Sequence, residues 1–310
     1  MARTGAMLCY PFTKKRLSSY NLPVFLQPKL DGLRCRALVD PVTGDIGLYS
    51  SEENEIICVP HINEALSKFL DIVMERLPFG TDDGDSYAWV EFDGELYTHN
   101  LTFQEIVSRA KRTKNLHPHH SDIEYHIFDM IVKGEESMLQ KDRIAYLNAS
   151  FGIFQEHQSE LGIPSYSPLQ LVPTYVAGNV EEVYNGLKQM IRDGYEGIII
   201  RDPHNKYVRK RSTHMMKWKP RKSDSYPIVG YMEEVSIEGE PKDALGALIC
   251  KCEKSYEHFN VGSGSFLTRE GRIELWKKRD DLIGKRAVIK YQELTDDKKI
   301  PRFPVLINIE

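Results

Sequence analysis

Two different patterns follow one another along the chain, and the change between them near Arg221 restricts the folds that it can adopt. Before that point, stretches with helical spacing and strand-like stretches interleave without the regular repeat of a doubly wound sheet. This irregular order predicts a mixed α/β domain. Helices are predicted over residues 61–77, from a capping box at Thr102 and Glu105, and from Asn179 to the stop at Gly194; strands are predicted over residues 34–39, 89–97, 125–132 and 196–201.

The residues after Arg221 have a different character. The polar segment 221–225 is typical of a linker. Short β-rich runs with glycine turns follow, which predict a small barrel. We therefore predict an α+β fold of two domains, residues 1–222 and residues 223–310. The barrel strands are predicted over residues 228–236, 247–252, 259–261 and 286–294, with one helix near residues 272–279.

The composition excludes several classes of protein. No apolar run approaches the roughly 18 residues of a membrane span, and the start of the chain is too polar for a signal peptide. This predicts a cytoplasmic protein that is not secreted and does not bind membranes. Five scattered cysteines indicate neither a disulfide framework nor a zinc site. Because the net charge is −4, any contact with nucleic acid must come from local basic clusters.

The segment Lys-Leu-Asp-Gly-Leu-Arg at residues 29–34 is the first candidate for chemistry. A lysine amine is protonated at neutral pH, and it acts as a nucleophile only where desolvation or cationic neighbours favour the neutral form. Lys217 and Lys219 could supply such neighbours, because residues two apart on a strand share one face. Taken alone, however, the segment is equally typical of a surface turn between strands.

Two acidic strands complete this candidate set. Alternation along residues 91–96 directs Glu91, Asp93 and Glu95 to one side of a strand. Glu196 begins a second, apolar strand. In isolation, each of these acids is more typical of a charged residue at a strand end. The ordered set of lysine loop, acidic strand, aromatic-acidic strand (Phe128-Asp129), acidic strand, lysine pair and β-rich domain favours an active site.

In this order, the motifs resemble those of the covalent nucleotidyltransferases, which include ATP-dependent DNA ligases, RNA ligases and mRNA capping enzymes. The later segments resemble the OB-fold domain of DNA ligases specifically. The resemblance therefore implies a nucleotidyltransferase (ATP-grasp-like adenylation) domain followed by an OB-fold β-barrel. The motifs are KLDGLR (29–34), FDGEL (92–96), IFD (127–129), EGIII (196–200) and MKWK (216–219), followed by VGY (229–231), GAL (246–248), VGSG (261–264), VIKYQ (288–292) and PRFP (301–304).

The resemblance also implies roles for the residues that would bind nucleotide. Lys29 would attack the α-phosphate of ATP and carry the lysyl-AMP adduct. Arg34 and Glu95 would hold the ribose, and Phe128 would stack on the adenine. Gln27 lies where the family often places a contact to the base.

The phosphate end of the implied site requires positive charge and a metal. Glu196, and with it Asp31, would bind Mg²⁺ or Mn²⁺, whereas Lys217 and Lys219 would contact the α-phosphate. Nucleotidyl transfer depends on positioning and charge neutralisation, which these residue types supply. Magnesium is a hard cation that prefers oxygen ligands from carboxylates, water and phosphates.

Two features depart from the pattern of the family. Ser51 and Glu52 follow Tyr49-Ser50, where the family usually has Ser-Arg, so one expected arginine contact to the nick phosphate is not predicted here. Many relatives also continue beyond the PRFP motif into a basic closing motif, for which Arg302 is a candidate substitute. Lys111 and Arg112 are further candidates for DNA contacts, although cations at the end of a predicted helix are at least as typical of a solvated helix end.

The sequence therefore predicts an ATP-dependent DNA ligase that acts as a monomer on nicked double-stranded DNA. An RNA ligase or a capping-type nucleotidyltransferase is the alternative within the same enzyme class. A nick-binding protein without catalytic activity is the alternative from a different class.

Overall fold

The computed structural model describes residues 5–40, 42–76, 90–132, 137–164, 166–295 and 297–310. Within these ranges the chain divides into two units, and the division falls between Trp218 and Lys219. The domain boundary at residue 222, derived from the sequence, stays a prediction. Leu77 and Trp89, at the edges of one predicted helix and one predicted strand, lie outside the described residues.

The first unit contains two five-stranded sheets with the strand orders β4-β3-β5-β6-β7 and β1-β10-β9-β2-β8. Neighbouring strands are antiparallel, except that β1 runs parallel to β10 and β6 parallel to β7. The strands are β1 Leu8–Pro11, β2 Val24–Lys29, β3 Leu33–Val39, β4 Ile46–Ser50, β5 Val90–Tyr97, β6 Glu124–Val132, β7 Leu169–Leu171, β8 Tyr175–Ala177, β9 Gly197–Arg201 and β10 Arg211–Trp218. The helices are α1 Lys14–Leu17, α2 Pro60–Arg76, α3 Phe103–Ala110, α4 Gln140–Glu156 and α5 Val180–Arg192.

The predicted helix starts are confirmed in detail. Thr102 accepts a hydrogen bond from the backbone N–H of Glu105, and the Glu105 carboxylate accepts one from the N–H of Thr102, which closes the capping box of α3. Asn179 accepts from the N–H of Glu182 at 2.9 Å and begins α5. Gly194 follows α5 with a φ of +88°, a left-handed conformation that favours glycine.

Each sheet of the first unit has its own hydrophobic core. Helices α2 and α4 pack on the first sheet, where the ring of Phe69 lies 5.4 Å from that of Phe92 and 5.3 Å from that of Phe154. Helix α5 covers the second sheet, where Val183 packs among Leu26 and Ile198. These separate cores hold two independent sheets, and the residues described below come from the inner strands of both.

The second unit is a small barrel with the strand order β13-β12-β11-β14-β15. An isolated bridge between Gly264 and Leu306 connects the segment after β13 to β15, which brings the two edges of the sheet together. The prediction of a mixed α/β unit followed by a small barrel is therefore confirmed. Its elements are β11 Lys222–Val235, β12 Pro241–Lys251, β13 His258–Val261, α6 Arg269–Lys277, β14 Arg286–Tyr291 and β15 Val305–Ile309.

The predicted linker over residues 221–225 is wrong. Strand β11 begins at Lys222, and its first residues pair antiparallel with β14, from Lys222 opposite Tyr291 to Pro227 opposite Arg286. The side chains of Lys222, Ser223 and Asp224 are exposed, so a polar composition is compatible with the strand. Backbone pairing, together with the hydrogen bond from the Tyr291 hydroxyl to Asp224, holds the segment in place.

No helix in the part of the chain that the structure describes has the length and apolar character required to cross a membrane.

Candidate active site

Lys29 and Glu196, which lie far apart in the sequence, are neighbours in the structure. Strand β2 ends at Lys29 and pairs antiparallel with β9, so that Lys29 lies opposite Gly197. The backbone N–H of Glu196 donates to the carbonyl oxygen of Lys29 at 3.2 Å, and the Lys29 ammonium donates to the Glu196 carboxylate. The two side chains are 19% and 11% exposed. The register of the two strands thus sets the candidate nucleophile beside a carboxylate at a partly open position.

The turn after Lys29 needs its glycine because of a close approach to β5. A Cβ atom on Gly32 would lie only 2.3 Å from the backbone oxygen of Leu96. This contact presses the turn against β5 and leads directly into β3, where Arg34 lies opposite Glu95. The turn therefore fixes the positions of Lys29 and Arg34 relative to each other in space.

The three acids of β5 have different surroundings. Glu91 and Asp93 are buried, and they bind Arg36 and Arg34, respectively, with an Arg34 Nε to Asp93 Oδ1 distance of 2.6 Å. The Tyr207 hydroxyl donates to the other oxygen of Asp93 at 2.7 Å. Of the three acids, Glu95 is the one that lines the cleft described below. Glu91 and Asp93 therefore serve to hold arginines in the sheet.

A cleft of about 200 Å³ collects most of the predicted nucleotide-binding residues. Its walls come chiefly from the three inner strands of each sheet, β2, β9 and β10 on one side and β3, β5 and β6 on the other. The predicted residues that line it are Gln27, Lys29, Arg34, Glu95, Phe128 and Lys217. The cleft thus combines one aromatic ring with several cations, a composition that suits a base attached to phosphates.

Two arginines line the same cleft and were not predicted as site residues. Arg201, at the end of β9, is 3% exposed, and its guanidinium carbon lies 5.2 Å from the centre of the Phe128 ring. The guanidinium carbon of Arg34 lies 4.7 Å from the same ring. Arg211, at the start of β10, is exposed and donates to the carbonyl oxygen of Cys9. The one sequence signal for Arg201 is a charged residue that ends an apolar strand.

Other predicted residues lie outside the lining of the cleft, including Glu196, which contacts it through Lys29. The prediction that Lys219 shares a strand face with Lys217 is wrong, because strand β10 ends at Trp218. Lys219 begins the second unit, where its ammonium lies 3.5 Å from the side-chain oxygen of Gln292. Asp31 is half-buried in the turn after Lys29. Arg302 forms an ion pair of 2.6 Å with Glu293 in the second unit. The roles predicted for these residues stay predictions.

The predicted DNA-contact residues Lys111 and Arg112 are exposed at the end of α3. The backbone N–H of Lys111 caps the helix by donating to Val107, and the Arg112 guanidinium donates to the carbonyl oxygen of Ser108 at 3.2 Å. Arg109, one turn earlier, forms an ion pair of 2.6 Å with Asp122. The charges of Lys111 and Arg112 therefore remain at the protein surface, where a phosphate could reach them.

The comparisons with known proteins decide the family. Residues 6–219, more than two thirds of the chain, match the family model of the ATP dependent DNA ligase domain. The chain belongs to the ATP-dependent DNA ligase family. Residues 238–309 match the DNA ligase OB-like domain, which identifies the barrel of the second unit.

Individual ligases agree with this membership. The DNA ligase of African swine fever virus (strain Badajoz 1971 Vero-adapted) is 26% identical over 286 residues, which cover 89% of this chain and 61% of that protein. The chain thus spans about three fifths of the length of that relative. The solved structure Pmar-Lig_PreS3 is 19% identical with a TM-score of 0.77, covering 99% of this chain and 67% of that one. A Lig E DNA ligase is 17% identical with a TM-score of 0.65, covering 99% of both chains. The two structures share the fold.

A divalent metal fits the site through one carboxylate. Among the described residues, no three histidine, cysteine, aspartate or glutamate side chains are grouped to hold an ion. Magnesium, however, commonly binds one or two carboxylates and takes its remaining ligands from water and substrate phosphates. Glu196, which contacts the candidate nucleophile in this ligase-family chain, is the carboxylate suited to that role.

Burial makes Glu95 a weaker acid than an ordinary glutamate, and this difference can be measured. Burial raises the pKa of Glu95 from 4.5 to about 7, although the positive charges of Lys29 and Arg34 oppose this effect. The folded protein should therefore carry an extra proton between pH 4.5 and about 7, and the stability contributed by Glu95 should fall as the pH rises through that range. A carbon-13 NMR titration of labelled glutamates in the nucleotide-free protein should show one carboxyl resonance with a midpoint near 7.

The control for this titration is Glu105. Its pKa is lowered because the carboxylate accepts hydrogen bonds from Thr102, so its resonance should titrate below 4.5. Glu95→Gln should remove the resonance with the high midpoint and the associated pH dependence of unfolding. If the resonance that disappears in Glu95→Gln has a midpoint near 4.5 in the unsubstituted protein, this expectation is wrong.

Proposed function

We propose that the chain joins nicked strands of duplex DNA, with ATP as the source of energy. The observation that carries the proposal is the pairing of Glu196 with Lys29, which lines the cleft together with Arg34, Glu95, Phe128 and Lys217. A lysine amine, a carboxylate and further cations beside an aromatic ring are the groups that nucleotidyl transfer to a lysine requires. Membership of the ATP-dependent DNA ligase family supports the same conclusion.

In the first step, Lys29 would release a proton from Nζ to solvent and attack the α-phosphorus of ATP. A phosphorus–nitrogen bond forms, the bond to the β-phosphate breaks, and pyrophosphate leaves. Arg34 and Glu95 would hold the ribose, Phe128 would stack on the adenine, and Lys217 would offset the charge that develops on the α-phosphate. Glu196 would hold Mg²⁺ or Mn²⁺, which supplies further positive charge to the phosphates when bound.

The two later steps return the lysine and close the nick. The 5′-phosphate of the nick attacks the phosphorus of lysyl-AMP, the phosphorus–nitrogen bond breaks, and the nitrogen takes up a proton to restore Lys29. The 3′-hydroxyl then attacks the activated 5′-phosphate and releases its proton to solvent, a phosphodiester bond forms, and AMP leaves. The chain would act as a monomer in the cytoplasm of a bacterial or virus-infected cell, with Lys111, Arg112 and Arg302 as candidate contacts to DNA.

Incubation with radiolabelled nucleotide tests the proposal. The protein should acquire a covalent label from [α-³²P]ATP and Mg²⁺, and it should seal a nicked duplex in which both strands are DNA. Label from GTP in place of ATP would indicate a capping-type enzyme, and sealing confined to RNA strands would indicate an RNA ligase. A protein that acquires no label from ATP, GTP or NAD and yet binds the nick would be a binding module without this chemistry.

Binding to DNA by this acidic chain should depend steeply on salt. Each lysine or arginine that neutralises a phosphate releases a condensed counterion, which gives a slope near −0.9 per contact when log affinity is plotted against log salt. With several contacts, affinity for nicked duplex should fall on the order of 10³-fold between about 50 and 200 mM salt. Replacing Lys111 and Arg112 by alanine should flatten the slope by up to about two units, without affecting the transfer of AMP to Lys29.

A matched control exists at the end of α5. Lys188 and Arg192 are exposed, and the Arg192 guanidinium donates to the backbone oxygen of Lys188, as Arg112 does to Ser108. Replacing this second pair by alanine changes the net charge equally and should leave the salt slope as it was. Equal slopes for the unsubstituted protein and the Lys111, Arg112 variant would show that the end of α3 is a solvated surface only.

A further inference from the structure

Gln27 lines the cleft, but most of its hydrogen-bonding capacity is used inside the protein. Its Nε2 donates to the Thr174 hydroxyl at 2.9 Å and to the backbone oxygen of Phe128 at 3.3 Å. Its Oε1 accepts from Nε of Arg201 at 2.7 Å. A side-chain amide has two donor hydrogens and two acceptor lone pairs. The capacity that remains at Gln27 after these three bonds is one lone pair on Oε1.

Arg201 determines which end of the Gln27 amide faces it. A guanidinium can only donate hydrogen bonds, so the atom that it meets must be the amide oxygen. If the amide turned over, its NH₂ group would face the N–H of Arg201, two donors in contact at a buried position. Gln27 is 1% exposed and Arg201 is 3% exposed, so water could not relieve that contact. The amide orientation is therefore fixed from both ends, by Arg201 at Oε1 and by the backbone oxygen of Phe128, which can only accept, at Nε2.

Hydrogen bonds to buried side chains hold Arg201 in turn. Its Nη1 donates to Asp129 at 3.0 Å and to the side-chain oxygen of Gln140 at 3.2 Å. Asp129 is 0% exposed and also accepts from Nε of Arg143 at 2.7 Å. Burial alone would raise the pKa of Asp129, but the Arg143 and Arg201 guanidiniums lower it, so the carboxylate stays ionised. This charged cluster therefore holds Arg201 in one position, in contact with both Gln27 and the Phe128 ring.

We propose that Arg201 is a positioning residue that makes the cleft select ATP over GTP by fixing the amide of Gln27. Adenine presents an amino group at C6, which donates, whereas guanine presents a carbonyl oxygen there, which accepts. The remaining lone pair on Gln27 Oε1 can accept from the adenine amino group but repels the guanine oxygen. The inference rests on the proposed binding of ATP in this cleft, with the base stacked on Phe128.

The test measures covalent labelling of the full chain with [α-³²P]ATP and [α-³²P]GTP, and compares the two specificity constants. The unsubstituted protein should prefer ATP. Arg201→Met removes one of the two contacts that fix the amide of Gln27, so the amide can turn over more readily and donate to guanine, and the preference should fall on the order of 10- to 100-fold. Arg201→Lys keeps a charge beside Asp129 but lacks the forked donors, and it should also lower the preference. If Arg201→Met does not fold, the preference of Arg201→Lys for ATP over GTP tests the inference.

Two further variants separate positioning from a general loosening of the fold. Arg143→Met removes a guanidinium from the same Asp129 cluster without touching Gln27, and it should keep the preference for ATP. Gln27→Met should lower the preference, and adding Arg201→Met to it should lower it no further, because Arg201 acts through Gln27. Additive losses, or an equal loss in Arg143→Met, would overturn the inference.

The outcomes also distinguish this inference from the proposed function. An unsubstituted protein that takes no label from ATP overturns the proposed function and the inference with it. An unsubstituted protein that takes label equally from ATP and GTP overturns the inference alone. The inference alone is also overturned if the unsubstituted protein prefers ATP and both Arg201 variants keep that preference.

Discussion

Lys29→Ala and Lys29→Arg should both reduce covalent labelling by AMP to background, a loss of more than about 10³-fold. Alanine removes the amine. Arginine keeps the positive charge beside Glu196, but a guanidinium stays protonated and is a poor nucleophile. Melting temperatures should stay near that of the unsubstituted protein, above all for Lys29→Arg, which can keep the ion pair with Glu196. The measurement is acid-labile radioactivity on the protein after incubation with [α-³²P]ATP and Mg²⁺.

A second substrate separates the chemistry of Lys29 from a general loss of function. A nicked duplex that already carries AMP on its 5′-phosphate requires only the attack of the 3′-hydroxyl, in which Lys29 forms no bond. Lys29→Arg should therefore still seal it. Lys188→Ala, a change at an exposed lysine of α5, should leave every step unchanged. Acid-labile label retained on either Lys29 variant would show that another residue is the nucleophile.

The sequence predicts the elements of the first unit best where local chemistry determines them. The capping box at Thr102 and the N-cap at Asn179 are local signals, and α3 and α5 begin where they predict. Helix α4 was not predicted, since its buried face includes Gln140, Arg143 and Ser150 as well as apolar residues. Arg143 is buried there because Asp129, on β6, binds it. A partner on another element leaves no periodic signal in the sequence of the helix.

Contacts between residues far apart in the sequence also limit what the sequence could establish about the site. Lys29 and Glu196 are 167 residues apart, and only the pairing of β2 with β9 makes them neighbours. The ordered motifs, rather than any periodicity, made both residues candidates. Arg201 was overlooked as a site residue because Gln27 and Asp129, its partners, lie on two other strands. The predicted linker failed for a related reason: polar residues in 221–225 form a strand because β14 pairs with them.

Glu196→Gln and Glu196→Ala should lower the rate of labelling by AMP on the order of 10²- to 10³-fold through loss of metal positioning. Two effects of the carboxylate oppose each other. Its ion pair with Lys29 holds the nitrogen that must attack the α-phosphorus, so its removal alone should free the nucleophile and speed the reaction. Its contribution to a bound Mg²⁺ favours the reaction, and we expect this effect to be the larger. The rate measured at several Mg²⁺ concentrations decides between them.

The Mg²⁺ dependence and the stability together make this prediction specific. If Glu196 positions the metal, both variants should need more Mg²⁺ for half-maximal labelling, and Asp31→Asn should show the same shift if Asp31 is the second ligand. Glu196→Gln keeps the size of the side chain and an oxygen that can accept from Lys29, so it should melt close to the unsubstituted protein. Glu181→Gln, at an exposed position in the first turn of α5, should change neither rate nor Mg²⁺ dependence. Faster labelling in Glu196→Gln would mean that the carboxylate restrains the lysine and does not hold the metal. A large fall in the melting temperature of Glu196→Gln would mean that the loss of activity results from a loss of stability.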